Sequence, residues 1–231
     1  SRWSDAFVYG QARAEWRPGP KRIWVYGSLR VIGDTGGVGQ TLAAGGGIPP
    51  ALSERTMILG GGILWKITQK LSLWGEAGES FRYARVEGVA ARFKPDYRGG
   101  ASYLKGWGKL MGSPRPGWFA ETNLDGFYVS RFDNDLLVYS QARAGYTLKP
   151  WSGGPQLQLL VNFNVTRDTN GEYWGNVIEA GPGIRLTARG LPPGMSLRVD
   201  LLRGAHLRND RNPLGPNYWD LRAGLWYVVA R

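Results

Sequence analysis

The chain has 231 residues, and its 29 Lys and Arg against 18 Asp and Glu give a formal net charge of +11. It contains no Cys, which excludes disulfides and cysteine-ligated metal sites. It has no run of about 18 apolar residues, so no transmembrane helix is predicted. A basic balance favours anionic partners such as nucleic acid, lipid head groups or an acidic polymer.

Alternation of polar and apolar residues, with Gly, Pro, Asn and Asp between segments, predicts strands along nearly the whole chain. The predicted strands are 5–17, 21–32, 56–67, 70–83, 96–111, 117–132, 136–149, 156–166, 173–188, 195–205 and 218–229. Most exceed the usual ~5–6 residues of a globular strand and the ~9–11 that a tilted strand needs to cross a bilayer. The first residues already resemble the approach to a strand, so we expect a mature or excised domain.

A near-repeat shows the two faces of these strands. Residues 8–14 read VYGQARA and residues 138–144 read VYSQARA. Tyr9, Gln11 and Arg13 share one face of an extended chain, and small apolar residues occupy the other. Charge in mid-strand raises the question of which face meets water.

The connections fall into two alternating classes. Short, Pro/Gly-rich turns lie at 18–20, 68–69, 113–116, 150–155 and 190–194, whereas longer or more polar segments lie at 33–55, 84–95, 167–172 and 206–217. A tight turn, 133–135, occupies one long-loop position. Short turns on one rim and long loops on the other are typical of outer-membrane β-barrels.

Aromatic residues gather near strand ends, as in the girdles of membrane barrels. The girdle candidates are Trp3, Trp16, Trp65, Trp118, Trp151, Trp174, Trp219 and Tyr227. The alternative is a soluble sandwich or barrel with aromatics in its core. That alternative is disfavoured because the apolar face carries small residues such as Ala12 and Ala142 in mid-strand.

The predicted fold is all-β: one antiparallel, up-and-down transmembrane β-barrel domain, 1–231. Bacterial single-chain barrels normally have an even strand number, so eleven segments favour about 12 strands, within 10–14. The twelfth could lie in 33–47 or before Ser1; alternatively, two segments could be a single strand.

The polar faces are expected to point into a lumen. The inward candidates are Gln11, Arg13, Glu15, Arg30, Glu76, Gln141, Arg143, Glu179, Arg185, Arg198, Asp200, Asp220 and Arg222. They predict either a basic lumen that guides an anionic or hydroxyl-rich polymer, or an interior filled by Arg–carboxylate pairs, which we favour. The basic residues form no aromatic-interleaved platform, so nucleic acid is not an expected partner.

No group of residues indicates catalysis or a cofactor site, so we expect that this protein is not an enzyme. His206 is the only histidine, and a triad would need Ser102 or Ser130 to converge on it. Asp133 and Asp135 suit a turn better than a cation site. Neither 60–62 nor 181–183 is followed by the Lys-Ser/Thr of a phosphate loop, so these glycines are interpreted as bends or close approaches.

The order of four segments resembles the C-terminal barrel of the NfrA family, bacteriophage adsorption protein A. The segments are GGGILWKITQKLSL at 60–73, WFAETNLDGFYVSRF at 118–132, LVYSQARAGYTL at 137–148 and EAGPGIRL at 179–186. The last predicted strand also takes the place of the family's last strand, so the resemblance covers 56–231. The family ends in an aromatic residue, whereas this chain ends Val229-Ala230-Arg231.

The resemblance implies a bacterial outer-membrane location and a role in phage adsorption or exopolysaccharide export. The expected partners are outer-membrane lipid and lipopolysaccharide, with a periplasmic helical-repeat region, other envelope proteins, polysaccharide or phage as further candidates. The expected function is a non-enzymatic anchor or export/adsorption barrel of a larger envelope assembly. The alternatives are a narrow porin-like channel for small anionic solutes and a rim enzyme acting on lipid.

Overall fold

A computed structural model describes residues 6–19, 22–34, 55–83, 93–148, 155–187, 195–208 and 215–227. These residues form eleven strands and one short 3-10 helix. The strands are β1 (Phe7–Trp16), β2 (Ile23–Asp34), β3 (Thr56–Lys66), β4 (Leu71–Arg82), β5 (Phe93–Gly108), β6 (Gly117–Val129), β7 (Asp135–Leu148), β8 (Gln156–Asp168), β9 (Val177–Thr187), β10 (Met195–His206) and β11 (Asn217–Tyr227). The 3-10 helix is Tyr173–Gly175, and no helix in the described part of the chain has the length and hydropathy to cross a membrane.

The strands form one sheet in chain order, and every neighbouring pair is antiparallel. This confirms the prediction of an all-β, up-and-down fold. Each predicted segment contains a strand, but some bounds are wrong: β5 spans 93–108 rather than 96–111, and β6 ends at Val129 rather than at residue 132. The largest error is at the start of β9. Residues 173–175 form the 3-10 helix instead, and β9 begins at Val177.

The meander sorts the connections onto two rims. The short-turn rim carries the β1–β2, β3–β4, β5–β6, β7–β8 and β9–β10 connections, and the long-loop rim carries the others. The tight β6–β7 turn lies on the long-loop rim, where Asp133 and Asn134 have φ of 54° and 60°. Asn and Asp tolerate this left-handed region better than other side chains with a Cβ, which suits them to a tight turn.

The sheet has two chemically different faces. The inner face carries polar side chains that are almost inaccessible, among them Gln158 and Asn164 at 0% exposure. The outer face carries apolar side chains that remain accessible, such as Leu221 at 68%. The described residues contain no second layer to cover the inner face. The sheet's own curvature therefore buries that face.

Contacts between distant strands show this curvature. Glu121 on β6 forms an ion pair with Arg185 on β9. Adjacent strands are about 4.8 Å apart, so these two strands would be about 14 Å apart in a flat sheet. A direct side-chain contact across that span requires the inner face to be concave.

The first and last strands each pair with one neighbour in the described residues: β1 with β2, and β11 with β10. All residues of β1 are exposed, both those that point to the inner face and those that point to the outer face. The proposed twelfth strand stays a prediction, because most of 33–47 and everything before Ala6 lie outside the described residues.

Candidate functional site: the inner polar face and the outer apolar band

One group of inner side chains joins β2 to β4. The Arg30 guanidinium donates to both Glu76 carboxylate oxygens, and the hydrogen bond from Nη2 to Oε2 is 2.9 Å. Ser28 Oγ donates to Glu76 Oε1 at 2.9 Å. Arg13 on β1 stacks over the Tyr26 ring with Cζ 3.5 Å from its centroid, and it pairs with exposed Glu15 at 3.2 Å. Gln11 lies opposite Arg30 on the same face and accepts a hydrogen bond from Tyr9.

A second group centres on Asp96, which is 1% exposed near the long-loop rim. Arg98 donates to it from the same strand at 2.5 and 2.8 Å. Arg131, from the β6–β7 turn, donates to Asp96 Oδ2 at 3.0 Å. One buried carboxylate thus pairs with two arginines and attaches the turn to the inner face.

The third group centres on Glu121 and includes two of the predicted inward arginines. Arg143 Nη1 donates to Glu121 Oε1 at 2.6 Å, and Arg185 Nη1 donates to Oε2 at 3.3 Å. Arg185 also donates to Gln158 at 3.1 Å, and Arg143 donates to Gln141. The group links β6, β7, β8 and β9.

The fourth group centres on Glu179, which is 3% exposed. Arg222 and Tyr218 on β11 donate to its Oε1 at 2.5 and 2.7 Å, and Asn164 donates to Oε2 at 3.3 Å. Arg222 also pairs with Asp220 at 2.8 Å. Arg198 pairs with Asp200 at 2.7 Å on β10. Each inward arginine predicted from the sequence therefore has a carboxylate within ion-pair distance.

Glycines on the inner face make room for these side chains. A Cβ at Gly60 would lie 2.6 Å from Glu76 Oε1, and a Cβ at Gly183 would collide with Asp200. Aromatic rings cover other inner glycines: Tyr26 lies over Gly62, and Tyr218 lies over Gly204. These contacts account for Gly60, Gly62 and Gly183 among the glycines that the sequence marked as bends or close approaches.

The outer face carries a continuous apolar band. Its outward positions fall within 10–14, 25–31, 59–63, 73–77, 99–103, 120–126, 138–144, 159–165, 180–184, 197–201 and 221–225. None of these outward positions carries Asp, Glu, Lys or Arg. Large aliphatic side chains in the band are exposed, including Val161 at 59% and Leu59 at 64%. A water-soluble protein does not normally leave so large a connected apolar surface uncovered.

Aromatic residues on the outer face border this band on both sides. At the short-turn rim they are Trp16, Trp65, Trp107, Trp118, Tyr146 and Tyr227. At the long-loop rim they are Phe81, Phe93, Tyr97, Tyr128 and Trp219. Sequence reasoning missed Trp107, Phe81, Phe93, Tyr97 and Tyr128, because an aromatic residue's face and rim become clear only once strand register is known. Trp3 and Trp151 lie outside the described residues.

The assignment of Trp174 to the aromatic girdle is wrong. Trp174 is only 9% exposed and packs edge-on against Phe132, with ring centroids 5.7 Å apart. It shares an apolar cluster with Tyr173, Val129 and Leu137. Val129 and Leu137 belong to the inner face, so this aromatic residue turns inward from the loop.

Trp174 belongs to a segment that we call the rim cap, residues 169–176 between β8 and β9. Asp168 accepts hydrogen bonds from the Gly171 and Glu172 amides at 2.7 and 3.1 Å. Asp135 accepts from the Thr169 and Asn170 amides at 3.0 and 3.2 Å. The rim cap therefore has defined backbone partners and lies over the inner face at the long-loop rim.

His206 ends β10, is buried, and lies between the Tyr173 and Tyr218 rings, with its Nδ1 2.9 Å from Tyr173 O. Ser102 and Ser130 accept hydrogen bonds from Trp74 and the Tyr97 amide. Among the described residues, no three His, Asp or Glu side chains are arranged to hold a metal ion.

Comparisons with protein-family models, curated proteins and solved structures find nothing that matches this chain.

Proposed function

We propose that this protein is an outer-membrane β-barrel with a side-chain-filled interior, which serves as the membrane anchor or export/adsorption barrel of a larger envelope assembly. The observation that carries the proposal is the inverted burial of its strands. Asn164 and Asp200 are buried at 0% and 1%, whereas Leu221 and Val161 are exposed at 68% and 59%. Burial of polar side chains with exposure of apolar ones is favourable when lipid, rather than water, contacts the outer face.

The spacing of the aromatic residues supports a membrane-spanning role. Trp118 and Tyr128 are outward positions ten residues apart on β6. At about 3.3 Å per residue and a tilt of about 40°, they are separated by about 25 Å along the membrane normal. That matches the apolar band of roughly 25 Å in outer-membrane barrels.

Ion pairing on the inner face favours an anchor over a wide pore. Glu121, Glu179, Glu76 and Asp200 pair with inward arginines, so much of the positive charge is neutralised. The rim cap covers part of the inner face at the long-loop rim. The export or adsorption role itself rests on the sequence resemblance.

One observation favours the alternative of a narrow channel for small anionic solutes. Leu104 and Trp226 lie on the inner face near the short-turn rim and are 62% and 45% exposed. The inner face is thus less covered at that end than at the rim cap.

Two measurements on the purified full chain test the proposal. We expect heat-modifiable migration on a gel and a requirement for detergent or lipid; a chain that is freely soluble and monomeric without detergent would contradict the membrane assignment. In planar bilayers we expect little conductance. A large, stable, anion-selective conductance would contradict the filled anchor and favour the channel for small anionic solutes.

A further inference from the structure

The net positive charge is unevenly divided between the two rims. The short connections 17–22, 67–70, 109–116, 149–155 and 188–194 contain no Asp or Glu. Each connection of the opposite rim contains one acidic residue; these are Glu54, Glu87, Asp133, Glu172 and Asp210. The connections of the short-turn rim therefore carry Lys and Arg with no acidic residue among them, whereas those of the long-loop rim do include acidic residues.

The described basic residues of this rim are accessible. Arg17, Arg22, Lys70, Lys109 and Arg115 are exposed, and Lys66 is half-buried at the end of β3. Described ion pairs instead involve side chains of the inner face and the long-loop rim. The cations of the short-turn rim are thus available to an external anion.

One outward cation of this rim lies against an aromatic ring at the edge of the apolar band. Lys105 Nζ, on β5, is 4.5 Å from the Trp107 ring centroid. Lys66 and Trp24, with Nζ 4.3 Å from the ring centroid, lie on the inner face instead. Trp118 and Tyr146, on the neighbouring strands, meet edge-on at 5.3 Å. A cation just beyond an interfacial aromatic residue lies at the depth of lipid phosphates, with its aliphatic stem along the apolar surface.

We propose that the short-turn rim binds the phosphates of anionic phospholipids and thereby enriches them around the protein. This inference rests on the proposed membrane-barrel function and adds its lipid preference and orientation. Short turns face the periplasm in outer-membrane barrels, so the lipids concerned are those of the inner leaflet. Clustered Lys and Arg next to an apolar surface attract anionic head groups, and salt weakens this attraction by screening the charges.

The test uses the full-length protein reconstituted in phosphatidylcholine vesicles containing phosphatidylglycerol, with only the phosphatidylglycerol brominated. Quenching of tryptophan fluorescence then reports how strongly this anionic lipid is enriched at the protein surface. We expect about threefold enrichment over phosphatidylcholine at low salt, given the usual attraction of clustered basic residues. The R17Q/K70Q/K109Q/R115Q variant should abolish most of that enrichment.

The matched control is K94Q/R167Q/R203Q/R208Q, which removes the same charge from exposed residues of the long-loop rim. It should keep the enrichment, and equal losses in both variants would overturn the assignment to one rim. If brominated phosphatidylcholine quenched the wild-type tryptophans as strongly as brominated phosphatidylglycerol does, the lipid preference would be overturned. An acidic polysaccharide that binds the wild type but not the first variant, without phosphatidylglycerol enrichment, would assign the rim to a polymer instead.

Insertion into pure phosphatidylcholine vesicles, measured by flotation and resistance to carbonate extraction, separates the two proposals. A protein that inserts but shows no lipid preference contradicts only this inference. A protein that does not insert contradicts the proposed membrane-barrel function.

Discussion

Glu121 shows how single carboxylates hold the inner face together. Glu121, on β6, binds Arg143 on the adjacent strand β7 and Arg185 on β9, three strands away. Removing such a carboxylate leaves arginines in a low-dielectric environment with part of their charge uncompensated, which costs more than the pair contributes when intact. Inner ion pairs should therefore respond to substitution far more than exposed ones.

Glu121→Ala should lower the free energy of unfolding by about 2–3 kcal/mol, because two arginines lose their shared acceptor. Glu15→Ala is the control, since its pair with Arg13 is exposed and should contribute less than about 1 kcal/mol. Denaturant titration of the protein in detergent micelles measures both. Equal effects would show that the inner pairs are as hydrated as the exposed one.

Gly183→Ala should destabilise the protein by about 1–3 kcal/mol, because its Cβ would collide with Asp200 and lie 2.9 Å from Leu160 Cδ1. Gly10→Ala is the matched control, with nothing within 4 Å of the added carbon. The same titration compares the two variants. Tolerance of Ala at Gly183 would show that the side chains opposite it can move.

Among the connections between strands, the β8–β9 segment differs from an ordinary loop because its backbone has defined side-chain partners. Asp168 organises its backbone and Asp135 attaches it to β7, while His206 contacts Tyr173 O. Sequence periodicity extended β9 back to residue 173, because YWGNVIEA continues an apolar pattern. The 3-10 helix forms there instead, since Asp168 accepts the amides that a strand would direct to a neighbour.

Asp168→Ala should loosen the rim cap, because Gly171, Glu172 and Asn176 lose their shared acceptor. Limited proteolysis of the folded protein should cut the cap at least about tenfold faster, corresponding to about 1.4 kcal/mol of local stability. Glu172→Ala is the control, because its carboxylate makes no hydrogen bond among the described residues. Unchanged cleavage in D168A would assign the stability of the cap to Trp174 packing.

For the molecule as a whole, the outer apolar band makes the cost of a charged substitution depend on whether water or lipid surrounds it. In water, a lysine at any exposed outer position would be harmless. In a bilayer the cost depends on depth, about 2–4 kcal/mol at the midplane and about 0–1 kcal/mol near the interface.

Val161→Lys, in mid-β8, should therefore reduce stability in phosphatidylcholine vesicles by about 2–4 kcal/mol. Leu136→Lys, at the long-loop end of β7, is the control and should cost about 1 kcal/mol or less. Both native side chains are exposed, at 59% and 45%. Equal costs in reversible unfolding from vesicles would contradict a lipid-facing band.

The strands, the alternation of short and long connections, and the separation of polar from apolar faces all follow from local sequence. These are local properties: alternation such as that of Leu157–Arg167 depends only on the period of an extended chain. By contrast, the pairing of Glu121 with Arg185, the inward turn of Trp174 and the burial of His206 arise only in the folded sheet. They depend on the register and curvature of strands far apart in the chain, which no local pattern encodes.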